Sequence, residues 1–242
     1  MKNKTILKHL YDHNFHLGEF VSNTNVDNFN YIAGFWNNMS IININHIIAS
    51  LKVFRKLLLN ISHKNGKIIL IGTLPYQWDL VKALATDLDQ FYVNYKWVGG
   101  TLTNLSVRNR INNLETFYKN CNKQLRNRRD FLSFRRYELL FEGLSGLSGS
   151  PDLIIVFNLK ENKAVVEEAA KANIPVLGFS CGSENSKGLT YKIPLNIKNE
   201  SKLIFLCSFI KECLKSKNIK TFHKSKNWNL FFESFVWKFL LV

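Results

Sequence analysis

The sequence is poor in the residues that cross-link a chain or give it unusual backbone conformations. Its 242 residues include only 12 Gly, 4 Pro and 4 Cys, whereas Gly and Pro usually contribute about 7% and about 5% of a globular chain. Cys121, Cys181, Cys207 and Cys213 form no C-x-x-C pair, which argues against a zinc ribbon or a thioredoxin-type site. We expect reduced cysteines that behave as small buried hydrophobes.

Carboxylates are scarce relative to basic groups. The chain has 18 Asp and Glu against 33 Lys and Arg, which gives a formal net charge of +15. A positive field of this kind favours a polyanionic partner. RNA, DNA and an anionic membrane surface are therefore the candidate partners that composition leaves open.

Long apolar runs are also lacking. The opening MKNKTILKHLYDH has neither the apolar core of a secretory signal nor the Arg- and Ser-rich character of an import presequence. The last apolar run, Phe235 to Val242, is interrupted by Lys238 and is too short to cross a bilayer, so we expect no membrane span. Asn, Lys, Ile and Phe are plentiful; they share A/T-rich codons, which indicates an A/T-rich organellar gene.

Short apolar runs alternate with longer helical patterns over most of the chain. Continuous apolar runs are typical of strands in a parallel sheet that is covered on both faces. They occupy residues 41–44, 68–72, 90–94, 153–157 and 175–179. Helical patterns occupy residues 47–59, 75–88, 161–172 and 202–214. The alternation predicts an α/β fold built on a doubly wound parallel sheet.

Residues 104–142 interrupt this alternation. Apolar residues from Val107 to Leu125 are spaced 4, 3, 4, 3 and 4 residues apart, a heptad seam, and a second helical stretch follows the basic connector 123–129. We predict a protruding helical hairpin inserted into the sheet domain. Its outer faces carry nine bases: Arg108, Arg110, Lys119, Lys123, Arg126, Arg128, Arg129, Arg135 and Arg136. A helix face that is merely solvated usually carries charges of both signs in similar number. Here nine bases stand against only four carboxylates, and this excess of positive charge favours RNA binding over simple solvation.

Residues 215–242 form an extension to the predicted domain of residues 1–214. Its first half is polar and basic, as in a linker or an RNA-contacting tail. Its second half, from Asn229, reads NLFFESFVWKFLLV and carries too much apolar surface to remain solvated. We expect this second half to dock on the domain or on a neighbouring protein.

Signals for catalysis are weak. Gly178–Gly182 matches the G-x-S-x-G nucleophile elbow, but the elbow requires a helix after its turn, and the following residues predict a loop and another strand. The glycine-rich run 143–150 precedes a strand, whereas phosphate-binding loops follow one. Glu167 and Glu168 are best interpreted as the exposed face of an Ala-rich helix. We therefore predict no catalytic residues and no cofactor.

A metal site is a further possibility that the sequence only weakly supports. His9, His13 and His16 have helical spacing, but no carboxylate or cysteine cluster completes a set of ligands. Surface and packing roles in an N-terminal helix are the better interpretation, so we predict no metal.

The run from Phe91 to Asn104, FYVNYKWVGGTLTN, is long and unusual. It resembles the F-V-N-x-R-W-L-G-G-x-L-T-N signature of a family, the bacterial-type second protein of the small ribosomal subunit. LYDHNFHLG, GKIILIGT, PDLIIVF and AVVEEAAKANIPVLG resemble further family segments in the same order, so the resemblance is collinear over roughly residues 7–214. The matched motif positions are His16, Gly18, Asn94, Trp97, Gly99, Gly100, Thr101, Leu102, Thr103, Asn104, Pro151 and Asp152.

Several family positions are changed in this chain. Ser22 and Asn23 replace a basic pair, Thr24 replaces a Trp and Leu74 replaces a Lys, while residues 180–182 replace a D-T-N loop. RNA contacts made by those family positions are not carried over. The departures indicate a divergent member that is more similar to mitochondrial than to plastid or bacterial proteins.

The resemblance implies a flavodoxin-like parallel sheet with a protruding helical hairpin. It also implies a non-catalytic role in translation in the mitochondrial matrix. The partners would be small-subunit ribosomal RNA, neighbouring ribosomal proteins and messenger RNA near its exit. We expect Lys96 and the nine hairpin bases to contact RNA phosphates. The motif itself we interpret as mostly architectural, with Trp97 in the core and Thr101, Thr103 and Asn104 capping the first hairpin helix.

Two alternatives remain open at this point. One is an enzyme on the same α/β fold that acts on RNA or nucleotides, since a fold does not fix a function. The other is a membrane-peripheral adaptor that uses the basic and aromatic extension.

Overall fold

The computed structural model describes residues 10–104, 107, 135–136, 138–183 and 187–215. The strands in this part of the chain are β1 (Leu17–Phe20), β2 (Ile32–Trp36), β3 (Met39–Ile42), β4 (Ile68–Ile71), β5 (Phe91–Val93), β6 (Leu153–Val156), β7 (Val176–Ser180) and β8 (Tyr191–Pro194). The α-helices whose bounds lie within the described residues include α1 (Ile44–His63), α2 (Trp78–Leu88), α3 (Lys163–Lys171) and α4 (Glu200–Lys215). None of the described helices has the length and apolar character needed to cross a membrane.

Five strands form the predicted sheet, in the order β5-β4-β6-β7-β8. The strand β4, second in this order, pairs in parallel with β5 on one side, where Ile69 lies opposite Phe91, and with β6 on the other, where Ile69 lies opposite Ile154. All four residues of β4 are at most 1% exposed, and successive side chains of a strand point to opposite faces. Both faces of this strand are therefore covered, and the α/β fold with a parallel sheet is confirmed.

The assignment of residues 41–44 to that sheet is wrong. β3 is the middle strand of a separate antiparallel sheet with the order β1-β3-β2, and α1 already begins at Ile44. The reason is the turn before it: Asn37 and Asn38 have φ values of 48° and 60°, as a two-residue hairpin turn requires. This turn makes β3 an antiparallel partner of β2.

The chain divides into two compact units. The first unit contains the described residues up to Gly66, together with those of Gly178–Lys187 and those from Tyr191 onward. In it, α1 packs against α4: the Phe54 ring lies 5.9 Å from the Phe209 ring, and Ser62 Oγ donates a hydrogen bond to the Leu214 carbonyl at 2.8 Å.

The second unit contains the described residues of Lys67–Leu177 and Gly188–Thr190. Its core is an apolar cluster of sheet and helix residues that includes Ile69, Ile154 and Val165. Trp97 and Leu102, from the segment after β5, belong to the same cluster. The core of this unit therefore extends into the segment that carries the longest sequence motif.

Most of the predicted hairpin, residues 104–142, lies outside the described residues, as does the extension from residue 216. Residues 135–136 and 138–141 are described and are helical. The division into a domain of residues 1–214, a hairpin insertion and an extension of residues 215–242 stays a prediction.

Candidate nucleic-acid interface

The motif segment that follows β5, residues 94–104, is called here the motif loop. Two of its side chains face the core of the second unit, since Trp97 is 7% exposed and Leu102 is 5% exposed. Thr101 is also buried, and its hydroxyl donates a hydrogen bond to the Val98 carbonyl at 2.5 Å. Lys96, by contrast, is exposed. The loop therefore directs Lys96 to the solvent and its neighbour Trp97 to the protein interior.

One buried carboxylate, that of Glu168 in α3, holds the motif loop. Its Oε2 accepts hydrogen bonds from Trp97 Nε1 at 2.9 Å and from the Gly100 amide at 3.1 Å. Its Oε1 accepts from the Leu102 and Thr103 amides at 2.7 and 3.1 Å, and from the Thr103 hydroxyl at 3.2 Å. A buried carboxylate is tolerated only where donors replace its hydration, and these five donors do so.

The interpretation of Glu167 and Glu168 as an exposed pair is therefore wrong for Glu168, which is 8% exposed. Glu167 is exposed as expected. Glu168 follows the buried Val165 by three residues, and positions three apart share a helix face. That spacing was the available signal, but the donors that make the burial acceptable lie more than 60 residues away in sequence.

Of the two glycines in the motif loop, only Gly100 is required by local geometry. It has φ +88°, and a Cβ built on it would lie 2.9 Å from the Asn104 Cβ. The Asn104 amide donates to the Gly100 carbonyl at 2.8 Å. A Cβ on Gly99 would meet nothing within 4 Å.

The other motif residues of the second unit also make structural contacts. Asn94 Nδ2 donates to the Trp78 carbonyl at 2.8 Å. Pro151 is buried, and Asp152 binds Lys67 twice: its Oδ2 accepts from the Lys67 amide and its own amide donates to the Lys67 carbonyl, both at 2.8 Å. These bonds join the residues that immediately precede β4 and β6.

In the first unit, the motif residues His16 and Gly18 lie at and near the start of β1. A Cβ on Gly18 would lie 2.3 Å from Ser40 Oγ, so the close approach of β1 and β3 requires glycine. The His16 ring lies 4.6 Å from the Tyr11 ring. Burial lowers the pKa of His16, and the nearby Lys202 lowers this pKa further.

Three of the ten predicted RNA-binding cations are described. Lys96, Arg135 and Arg136 are exposed, and Arg135 forms an ion pair with Glu138 at 2.9 Å. The other seven lie outside the described residues: Arg108, Arg110, Lys119, Lys123, Arg126, Arg128 and Arg129. Lys96 is thus the one predicted cation whose backbone belongs to the anchored motif loop.

The residues of the G-x-S-x-G match are packed into the first unit. Ser180 is 2% exposed at the end of β7, and the Gly182 carbonyl accepts from the Asn25 amide at 2.8 Å and from Asn28 Nδ2 at 2.6 Å. Residues 184–186 are not described, and the next described element is the strand β8, as the sequence predicts. Within the described residues no group of three or more His, Cys, Asp or Glu could hold a metal ion.

Comparison with known proteins gives one consistent result. The family model described as ribosomal protein S2 matches residues 10–216. The small ribosomal subunit protein uS2 of Ehrlichia canis (strain Jake) is 26% identical over 220 residues, which cover 87% of this chain and 75% of that protein. The protein of the same name from Carsonella ruddii (strain PV) is 30% identical over 171 residues, covering 69% and 79% of the two chains.

Proposed function

Since the chain belongs to the ribosomal protein S2 family and is a structural component of the small ribosomal subunit, we propose that its RNA contacts are made by Lys96 and the cations of residues 104–142. Binding to ribosomal RNA and to neighbouring small-subunit proteins follows from membership of this family. The match over residues 10–216 carries the assignment.

The proposed mechanism is neutralisation of phosphates at defined positions. Lys and Arg side chains release counterions from the RNA backbone and provide affinity without reading its sequence. Glu168 holds the motif loop on the carboxyl side of Lys96. It accepts hydrogen bonds from the Trp97 side chain and from the backbone amides of Gly100 and Leu102. Because the base of the Lys96 side chain is held in this way, less conformational entropy is lost when its ammonium group binds a phosphate.

The hairpin part of this proposal is tested by replacing Arg126, Arg128 and Arg129 with Ala. Incorporation into small subunits should fall. The melting temperature should change little, because the sequence predicts that these cations lie on the outer face of the hairpin, and exposed charges contribute about 0.5 kcal/mol or less. A matched control replaces three exposed lysines of the second unit, Lys160, Lys163 and Lys171. If the hairpin variant were incorporated as well as this control, the hairpin would not be a principal RNA contact.

We also propose that this ribosome is mitochondrial and that the chain lies near the exit of messenger RNA. The abundance of residues with A/T-rich codons and the modest identity to bacterial uS2 proteins, 26% and 30% for the two compared above, support a divergent organellar member. A tagged chain should be protected from protease inside intact mitochondria and should copurify with mitochondrial small-subunit RNA. Recovery with cytosolic or plastid ribosomes would contradict the mitochondrial assignment.

The extension from residue 215 is proposed to bind a neighbouring ribosomal protein through its second half. Seven large apolar side chains lie between Trp228 and Phe239, and each contributes roughly 1.5–3 kcal/mol when it is buried. Deleting residues 228–242 should leave the α/β part folded but reduce retention in the subunit at high salt. Crosslinking of this segment to RNA bases rather than to protein would contradict the proposal.

We propose no catalytic role for the chain. The burial of Ser180, together with the strand that follows it in the described part of the chain, supports this view. Ser180→Ala should therefore leave translation unchanged in subunits that have assembled normally. Loss of translation with intact assembly would favour an enzymatic function.

A further inference from the structure

Two aromatic side chains meet beside the carboxyl ends of β4 and β5. These strands are parallel neighbours, so the segments that follow them start at the same edge of the sheet, where ligands of such sheets usually bind. Trp78 is the first residue of α2, the helix after β4, and Tyr95 lies two residues after β5. The centroids of the two rings are 5.8 Å apart, with 55° between the ring planes. We call Trp78, Tyr95 and the adjacent Lys96 the aromatic platform.

Hydrogen bonds fix the position of Trp78. Its Nε1 donates to the Thr73 carbonyl at 3.0 Å, which holds the indole ring against the turn after β4. Its backbone carbonyl accepts from Asn94 Nδ2 at 2.8 Å, and Asn94 is the residue before Tyr95. The second bond therefore joins the two segments that carry the ring pair.

Tyr95 and Lys96 lie between two anchored residues and yet face the solvent. Asn94 before them is bound to α2, and Trp97 after them donates to the buried Glu168. Tyr95 is nevertheless 51% exposed, and Lys96 is exposed as well. Because the chain is held on both sides, these two residues lose less conformational entropy when they bind a ligand.

The contact between the two rings does not by itself explain this arrangement. Aromatic pairs stabilise a fold, but the Trp78 ring leaves about half of Tyr95 in contact with water. An exposed ring beside a cation is the combination that binds an unpaired nucleotide, because the ring stacks on the base and the cation neutralises the phosphate. A site for phosphate alone would not need the ring.

We propose that the aromatic platform binds one unpaired nucleotide of small-subunit ribosomal RNA, with the base stacked on Tyr95 and the phosphate at Lys96. Trp78 packs against the Tyr95 ring and holds it in place. The inference rests on the proposed function and deepens it, because it adds a base contact to the phosphate contact of Lys96. Every base has a face that stacks, so the platform selects a single-stranded region rather than a sequence.

The charges of the platform lie on different segments. Lys96 follows Tyr95 directly, whereas the exposed Asp79 follows Trp78 directly. A phosphate is attracted by the first and repelled by the second, which favours a nucleotide that lies on Tyr95 with its phosphate towards Lys96. An apolar segment of a neighbouring protein would also cover the rings, but it would leave the Lys96 ammonium group without an anion. The experiment below separates these two partners.

The first test measures binding of the full-length chain to small-subunit ribosomal RNA purified from the source cells, over a range of salt concentrations. Tyr95→Leu should weaken binding about 5- to 150-fold through the loss of one stacked base. The salt dependence of this variant should match that of the wild type, because stacking releases no counterions. Tyr95→Phe keeps the ring and should bind like the wild type. Lys96→Gln should instead lower the magnitude of the salt slope by about 0.7–0.9, the value for one phosphate contact.

The matched control is Tyr11→Leu. Tyr11 is 52% exposed and its ring also packs against another ring, that of His16, but no Lys or Arg occurs in residues 9–51. This control should keep the wild-type affinity, and circular dichroism with thermal unfolding should show that all variants are folded. A Tyr95→Leu affinity equal to that of the control would overturn the proposal. If that variant also assembled poorly into subunits, the aromatic platform would bind protein instead of RNA.

A second measurement depends on no variant. Ultraviolet irradiation of purified small subunits joins stacked aromatic side chains to bases, and mass spectrometry of the digested protein locates the attached nucleotide. The nucleotide should be found on the peptide that contains Tyr95. Nucleotides attached to other peptides of the chain but not to this one would overturn the proposal. A wild-type chain that did not bind the ribosomal RNA would contradict the proposed function itself, whereas an unchanged affinity of Tyr95→Leu would not.

Discussion

Replacing Glu168 with Gln changes the anchor of the motif loop with little change in shape. A glutamine side chain offers one acceptor oxygen, and its amide nitrogen is itself a donor. If the glutamine oxygen accepts the hydrogen bonds from Leu102 and Thr103, its nitrogen faces Trp97 Nε1 and the Gly100 amide. In the wild type, both of these groups donate to Glu168 Oε2. At least two donors then lose their acceptor in either orientation.

The expected cost follows from those two donors. A buried polar group without a partner costs about 1–3 kcal/mol, so the free energy of unfolding should fall by about 2–6 kcal/mol. Glu168→Ala leaves all five donors without this acceptor and should cost more than Glu168→Gln. The exposed neighbour gives a matched control: Glu167→Gln should stay within about 0.5 kcal/mol of the wild type.

Urea unfolding, followed by circular dichroism and by tryptophan fluorescence, measures these differences. The Glu168→Gln midpoint should shift to lower urea with an unchanged slope, because the surface exposed on unfolding is the same. Coincident transitions by the two probes are needed before a single free energy is assigned. Equal midpoints for Glu168→Gln and Glu167→Gln would refute the anchoring role of Glu168.

Three further predictions concern other parts of the structure. Gly143→Ala should lower the free energy of unfolding by about 1–3 kcal/mol, because its Cβ would lie 2.3 Å from the Tyr92 carbonyl oxygen. The control is Gly99→Ala, whose Cβ would meet nothing within 4 Å. Equal urea midpoints for the two variants would refute the close contact at Gly143. Burial lowers the pKa of His16 in the folded chain, so the unfolded chain binds a proton first and the free energy of unfolding falls as the pH drops below about 6.5. In thermal unfolding, His16→Gln should therefore lose less stability than the wild type between pH 7 and pH 5.5. An identical pH dependence of the two proteins would refute the lowered pKa of His16. Burial raises the pKa of Cys207 to about 12, so iodoacetamide at pH 8 should label this thiol only after the chain unfolds. Peptide mass spectrometry measures the labelling, and rapid labelling of the native chain would show that the Cys207 thiol is accessible.

Much of the fold could be predicted because its signals are local. The buried strands β4 and β6 are continuous runs of Ile, Leu and Val, and the apolar face of α1 repeats every three or four residues. Such patterns depend only on which side chains a parallel sheet or an amphipathic helix can bury.

The errors arose where neighbouring sequence does not determine the partner. The IINI run at 41–44 has the composition of a buried parallel strand, but the Asn37-Asn38 turn pairs β3 with β2 in the antiparallel sense. Glu168 has the composition of an exposed helix residue, and only the tertiary fold brings it to the amides of Gly100 and Leu102. Both errors concern contacts made outside the local pattern.

The candidate RNA contacts depend on composition, since nine cations occur within residues 108–136. Seven of these nine cations lie outside the described residues, so their grouping on one surface stays a prediction.

The central claim is that the chain is a structural component of the small ribosomal subunit. The most direct test is sedimentation of a lysate from cells that express the tagged chain, in high magnesium, with sequencing of the RNA in each fraction. The chain should migrate with the small subunit and its ribosomal RNA, and it should move to the light fractions after ribonuclease treatment. Intact small subunits that lack the chain, with the chain recovered as free protein or in the membrane pellet, would contradict the claim.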